Sequence, residues 1–202
     1  ITYYFLGRRL GAEDDFWSPV RHTLLPLLER VLQKVLGGGY ATGTQQEERF
    51  AALVIADPDT VEVALEDSGA DKGPIAAAKS HPKLGESYAS WHYRRIEHAT
   101  LRQVFDVLER VPVADRVLLT IERMLAIRQI HIRLYATADG NTAVYADEEW
   151  SSINPFVAYW HYRGKTRTIL GTSYPPHRPE IGREWVLDVL RERGFSYATD
   201  PD

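Results

Sequence analysis

The sequence predicts an α+β fold: an antiparallel β-meander packed against several helices in a single domain. Three observations carry this. The inferred order of elements (strand, helix, two strands, helices, four strands, helix) lacks the regular β–α alternation of a doubly wound sheet. Around residue 130 the apolar period switches from helical spacing to strict alternation. A chain of 202 residues, 44% hydrophobic and 26% charged, can bury a core of its own without covalent staples.

Residues 2–8 form a β-branched and aromatic run that reads as a strand. Ser18-Pro19 then opens a helix, since serine accepts an orphan amide bond and proline at the first helical position lacks the amide anyway. Leu24, Leu28, Val31, Leu32 and Val35 follow at helical spacing, and Gly37-Gly38-Gly39 supplies the stop. Pro26 either kinks this helix or marks its true start. Strands over 50–56 and 61–66 flank Asp57-Pro58-Asp59-Thr60, a composition suited to a hairpin turn. A short helix starts at Pro74. Two longer ones are expected over roughly 85–111 and 113–128, broken at Pro112.

Ile130, Ile132 and Leu134 then alternate with His131, Arg133 and Tyr135. Asp139-Gly140 is a hairpin signal leading to a strand over 142–146. A second hairpin is expected from 156–163 to 166–172 across Gly164-Lys165, completing a four-stranded meander. A last helix runs over 179–193 between Pro179 and Gly194, and 195–199 adds an edge strand. The whole reads as one domain over 1–202, with 1–128 its strand and helical part and 129–202 the meander plus C-terminal helix. The tetrad Trp91-His92-Tyr93-Arg94 recurs as Trp160-His161-Tyr162-Arg163. With the first copy expected on a helix and the second on a strand, the match reads as chance.

Composition removes several functions. The absence of cysteine excludes disulfides, thiolate metal sites, Fe–S clusters and a cysteine nucleophile. No apolar run approaches the roughly 20 residues that span a bilayer, so the expectation is a soluble, intracellular, cytoplasmic chain without a membrane partner. A net charge of −4 argues against wholesale wrapping of nucleic acid but allows a local basic face. Residues 67–128 are the only net basic third, at +2, between flanks of −4 and −2.

The polar side of the meander is the leading candidate site. Parity puts His131, Arg133 and Tyr135 on one side of the first strand, and Tyr159, His161 and Arg163 on one side of the third. If the apolar sides share a core, these residues meet on one face. Guanidinium forks suit phosphate or carboxylate, imidazoles transfer protons near neutrality, and tyrosines stack on rings. His131 and His161 are then the proton-transfer candidates, with Arg133 and Arg163 as charge stabilisers. The plainer reading is the solvated side of an antiparallel sheet. A second candidate is a helical stripe of Trp91, Arg95, His98 and Arg102. Glu97, on the apolar face of that same expected helix, is a general-acid or general-base candidate if half buried.

Other motifs fail or stay bland. The glycine-rich stretch 37–44 follows a helix and lacks a Gly-Lys-Ser/Thr ending, so it is no phosphate loop. Asp57-Pro58-Asp59 and Asp147-Glu148-Glu149 could hold Mg²⁺ or Ca²⁺, but solvated carboxylates are common at strand ends and turns. The seven histidines show no pairing at i+2 to i+4, so a metal site would need distant segments. His177 and Arg178 sit on a stiff proline-framed connector. The expected function is therefore binding, with or without acid–base turnover, of an anionic small molecule or short nucleic-acid segment, with no cofactor or metal implied. The alternative is an interaction protein (adaptor, assembly or inhibitor subunit) anchored by Trp17, Trp91, Trp150 and Trp185.

Overall fold

Two nine-residue strands organise the chain: β6 (Arg128–Ala136) and β7 (Thr142–Trp150), paired from Arg128↔Trp150 to Ala136↔Thr142. The computed structural model describes Val31 and residues 45–72, 80–87, 89–108 and 115–200. The turn closing this hairpin contains Gly140 at φ 76°, a left-handed conformation glycine adopts without strain. Around it stand β1 (Phe50–Val54), β2 (Asp71–Lys72), β5 (Ala89–Tyr93), β10 (His177–Arg178) and β11 (Tyr197–Ala198). The order is β11-β1-β7-β6-β5-β2, and every pairing is antiparallel. Past the end of β1, β10 takes the same edge of β7, with His177↔Glu149 and Arg178↔Glu148.

One side of this sheet is the core. Ile130, Ile132 and Leu134 of β6, Val144 and Ala146 of β7, and Trp91 of β5 are buried together. Helix α5 (Pro179–Glu192) covers them with Val186, Val189 and Leu190. Each of these contributes about 1.5–3 kcal/mol by burial. Gly182 lets the helix backbone come close: an added Cβ would lie 2.5 Å from Cα of Asp147. Helix α1 (Pro58–Asp67) adds Val61 and Leu65 to the same core. Helices α2 (Ala99–Leu108) and α3 (Asp115–Leu125) are bridged by Arg102 Nη1 donating to Glu122 Oε1 at 2.9 Å. Among the described residues, no helix is long and apolar enough to cross a membrane.

The predicted class stands, an antiparallel meander against helices, but different strands build it. β5, β6 and β7 lie side by side in chain order. Residues 89–93, expected within a helix, form β5 because Trp91 and His92 pair with Ile132 and His131. Residues 94–97 are irregular, and a helix begins only at Ala99. Residues 61–66, expected as a strand, are helical. Asp57 caps them by accepting from Thr60 N (3.0 Å) and Thr60 Oγ1 (2.7 Å), and Pro58 fits the first turn. The expected strand over 156–163 is a turn followed by α4 (Ala158–Arg163), started by Asn154, whose Oδ1 accepts from Phe156 N at 2.9 Å.

The second hairpin turns at Leu170-Gly171, both at positive φ, rather than at Gly164-Lys165. It pairs β8 (Arg167–Ile169) with β9 (Thr172–Tyr174) apart from the main sheet. A further two-stranded sheet joins β3 (Ser80–His81) to β4 (Gly85–Glu86). The two tetrads therefore exchange their expected states: Trp91-His92-Tyr93-Arg94 begins on a strand, and Trp160-His161-Tyr162-Arg163 lies on a helix. The expected strand over 2–8, the helix from Ser18, the glycine stop and the helix from Pro74 lie outside the described residues.

Candidate functional site

The face of the sheet opposite α5 is polar and buried. Strand alternation sends Gln129, His131, Arg133 and Tyr135 away from the core that takes Ile130, Ile132 and Leu134. In register, His131 stands opposite Asp147, Gln129 opposite Glu149, and Arg133 opposite Tyr145. β5 adds His92 opposite His131 and Ser90 opposite Arg133. A solvated sheet face would leave these side chains in water. Here His92, Gln129, Arg133, Asp147 and Glu149 are all buried.

Their hydrogen bonds form two connected groups. Glu149 Oε1 accepts from Gln129 Nε2 at 2.8 Å and lies 3.0 Å from His131 Nδ1 and 3.7 Å from His161 Nδ1. Gln129 Oε1 in turn accepts from Arg94 Nε at 2.9 Å and from Ser152 N and Oγ at 3.2 Å, which fixes its amide orientation. Asp147 Oδ1 accepts from Arg49 Nη1 at 3.2 Å, and Asp147 Oδ2 lies 2.8 Å from His177 Nδ1. A carboxylate only accepts, so the proton of His177 sits on Nδ1. The 3.4 Å approach of Arg49 Nη2 to that nitrogen is then packing rather than a hydrogen bond.

The histidines form the outer layer. The side chains of His131, His161 and His177 keep 10%, 14% and 24% of their surface, whereas Asp147 and Glu149 keep 3% and 1%. His92 stacks on His131 with ring centroids 4.5 Å apart. Burial, helped by Arg94, Arg133 and His161, holds its pKa well below the usual 6.5 and keeps it neutral. His131, Asp147 and Glu149 offer one nitrogen and two oxygen ligand atoms within 4.8 Å of one another.

β10 anchors this end of the sheet by parity. Arg178 points to the core side, where it donates to Glu148 Oε1 at 2.7 Å, while its neighbour His177 points to Asp147 on the polar side. Arg128 completes the clamp, donating to Glu148 Oε2 at 3.1 Å and to the Pro175 carbonyl at 2.7 Å. Its guanidinium lies 4.9 Å over Trp150. Farther along the polar face, Tyr135 donates to Gln45 Oε1 at 3.0 Å, and burial raises its pKa to about 12. Tyr145 lies 2.8 Å from His81 Nε2. This end is aromatic.

The expected site residues divide. His131, Arg133 and Tyr135 share one face, with Tyr135 at its aromatic end. His161 arrives beside Glu149 from α4 rather than from a strand, its Nδ1 2.9 Å from the Trp150 carbonyl. Arg163 stacks over Tyr159 at 5.3 Å, within α4 itself. The stripe of Trp91, Arg95, His98 and Arg102 does not exist. Trp91 is buried on the core side of β5, and Arg95 and His98 precede α2 at a small recess. Arg102 pairs with Asp106 and Glu122, both at 2.9 Å. Glu97 lies before α2 beside Glu148. Desolvation of its carboxyl and that neighbour raise its pKa, and Arg178 and Arg128 oppose them.

Sequence reasoning missed His92, Gln129 and Arg49, and read Asp147, Glu149 and His177 as bland. The available signal was parity: Asp147 and Glu149 are two apart on a strand continuing the 142–146 run, so they share a face. No protein-family model, no curated protein and no solved structure matches this chain.

Proposed function

We propose that the histidine end of the polar face binds a small anionic molecule, a phosphorylated or carboxylated metabolite, and exchanges protons with it. One observation carries the reading: two imidazole–carboxylate pairs, His131 on Glu149 and His177 on Asp147, lie side by side on one sheet face. In each pair the carboxylate holds Nδ1–H, which leaves Nε2 as the basic nitrogen. At His131 that atom is buried, so the more open His177 ring exchanges the proton and His131 supports the site from behind. Arg133, buried on the same face, supplies positive charge for an anion. His161 stands third, over Glu149. Because the rings lie outside the carboxylates, a ligand meets imidazole first. Such burial favours a small molecule over a nucleic-acid segment, which needs an open groove.

The test is thermal unfolding with a panel of phosphates, nucleotides and dicarboxylates. A ligand at about 100 times its Kd adds about 2.7 kcal/mol, or about 5–10 °C for a chain of this length. The reading predicts such a shift from one member and its loss in His131→Ala. A panel that shifts nothing, or a shift that His131→Ala retains, overturns it.

A second reading, a protein-interaction subunit, draws support from aliphatic exposure on α2 (Val104, Val107) and α3 (Val117, Leu119). Three of its four tryptophan anchors speak against it, Trp17 lying outside the described residues. Trp91 and Trp150 are buried, and Trp185 packs 4.6 Å from Tyr93. A melting temperature that rises with protein concentration, without ligand, would favour this second reading.

A further inference from the structure

We infer that His131, Asp147 and Glu149 form a binding site for a divalent first-row transition ion, of which Mn²⁺ and Zn²⁺ are the probes. The inference rests on the reading of this face as the functional site and names an inorganic ligand for it. The three residues sit on paired strands, with His131 directly opposite Asp147 and Glu149 two positions on. Their ligand atoms lie within 4.8 Å of one another, so a single ion, whose bonds of about 2.0–2.2 Å span at most about 4.4 Å, draws the side chains slightly inward. One imidazole with two carboxylates is a mixed nitrogen and oxygen set. It suits Mn²⁺, Fe²⁺ or Zn²⁺ better than Ca²⁺ or Mg²⁺, which favour all-oxygen shells.

The surroundings resemble the outer shell of a metal centre. His177 and Arg49 hold Asp147, and Gln129 holds Glu149, as conserved outer partners orient ligating carboxylates. His92 is the independent observation. It is 92% buried, stacks on the His131 ring, and its Nδ1 has no hydrogen-bond partner among the described residues. A buried donor or acceptor left unsatisfied costs about 1–3 kcal/mol. A water on the ion would satisfy it, His92 itself lying outside the converging group. To bind the ion, His131 gives up the Nδ1 proton that it shares with Glu149 in the metal-free chain and ligates as the neutral tautomer protonated on Nε2.

The experiment is calorimetric titration of the EDTA-treated, dialysed full chain with MnCl₂, ZnCl₂ and MgCl₂. Paramagnetic resonance of the Mn²⁺ sample provides a signature independent of any variant. The expected result is one Mn²⁺ or Zn²⁺ per chain, bound more than about tenfold tighter than Mg²⁺. Asp147→Asn and Glu149→Gln should each weaken binding by more than about tenfold, and Arg193→Ala, at the exposed pair with Asp67, should leave it unchanged. Circular dichroism identifies any variant that fails to fold, and His131→Asn then serves in its place. No uptake of Mn²⁺ or Zn²⁺ by the wild-type chain overturns the inference and leaves the cluster as internal ion pairs. If the anion panel still shifts unfolding in EDTA, only the metal is lost. If neither binds, the whole site reading fails with it.

Discussion

Gln129 shows how much one side chain can organise. Its carbonyl takes Arg94 and Ser152, and its amide supports Glu149, so guanidinium, amide, carboxylate and imidazole form one chain across β5, β6 and β7. Replacing it with leucine keeps the volume and removes four polar contacts inside a buried face. Gln129→Leu should therefore cost about 1–3 kcal/mol in denaturant unfolding. Unchanged stability would mean the network is ornamental. His161 illustrates what residue-level reading can reach. Its meeting with the His131 region was expected from strand parity, yet it happens through a helical turn that hangs over Glu149. The three consecutive acids 147–149 were harder. Carboxylates in a row read as solvated because their compensation comes from far away, Arg49 lying 98 residues from Asp147.

At the scale of elements, the tight crossing of α5 over β7 places Asp147. Gly182→Ala would gain about 1 kcal/mol of helix propensity. It would also drive a methyl to 2.5–2.8 Å from the backbone of Asp147, and backbone cannot move aside as a flexible side chain can. Overpacking of about 1–3 kcal/mol should win, giving a net loss of stability and weaker ligand response. An alanine variant as stable as wild type would contradict this packing. The cap of α1 gives a pH-dependent case. Hydrogen bonds from Thr60 hold the Asp57 carboxyl below its usual 3.8. Its contribution is thus present above that value and is lost as pH falls through the lower folded value. Asp57→Asn keeps an accepting cap without titrating. The melting temperatures of wild type and variant should converge as pH drops through this window, and parallel curves would rule the linkage out.

Elements also show where the sequence was readable. The β6–β7 hairpin and α5 carried local signals, Asp139-Gly140 for one and Pro179 with Gly194 for the other, and both stand near their expected bounds. β5 carried a conflicting one. Trp91, Arg95, His98 and Arg102 happen to fit helical spacing, and only pairing with β6 decides that Trp91 to Tyr93 is extended. Residues 61–66 are β-branched in part, but the Asp57 cap overrides that weak preference.

The molecule as a whole separates stability from chemistry across one sheet. The core side holds Ile130, Ile132, Leu134, Val144 and Trp91 under α1 and α5. The other side holds titratable groups that a purely structural sheet would not need to bury. Apolar residues there would have cost less, since buried ion pairs seldom stabilise relative to well-packed hydrophobic side chains. Under the proposed function, this outlay serves ligand binding at the outer histidines. The most direct test is the long-range proton–nitrogen spectrum of the imidazoles, titrated with the anion panel and with ZnCl₂. His131 and His177 should shift on titration, while His81, whose Nδ1 accepts from Lys83 N and Leu84 N at 3.1 Å, stays in place. Imidazole signals that respond to no addition would contradict the account.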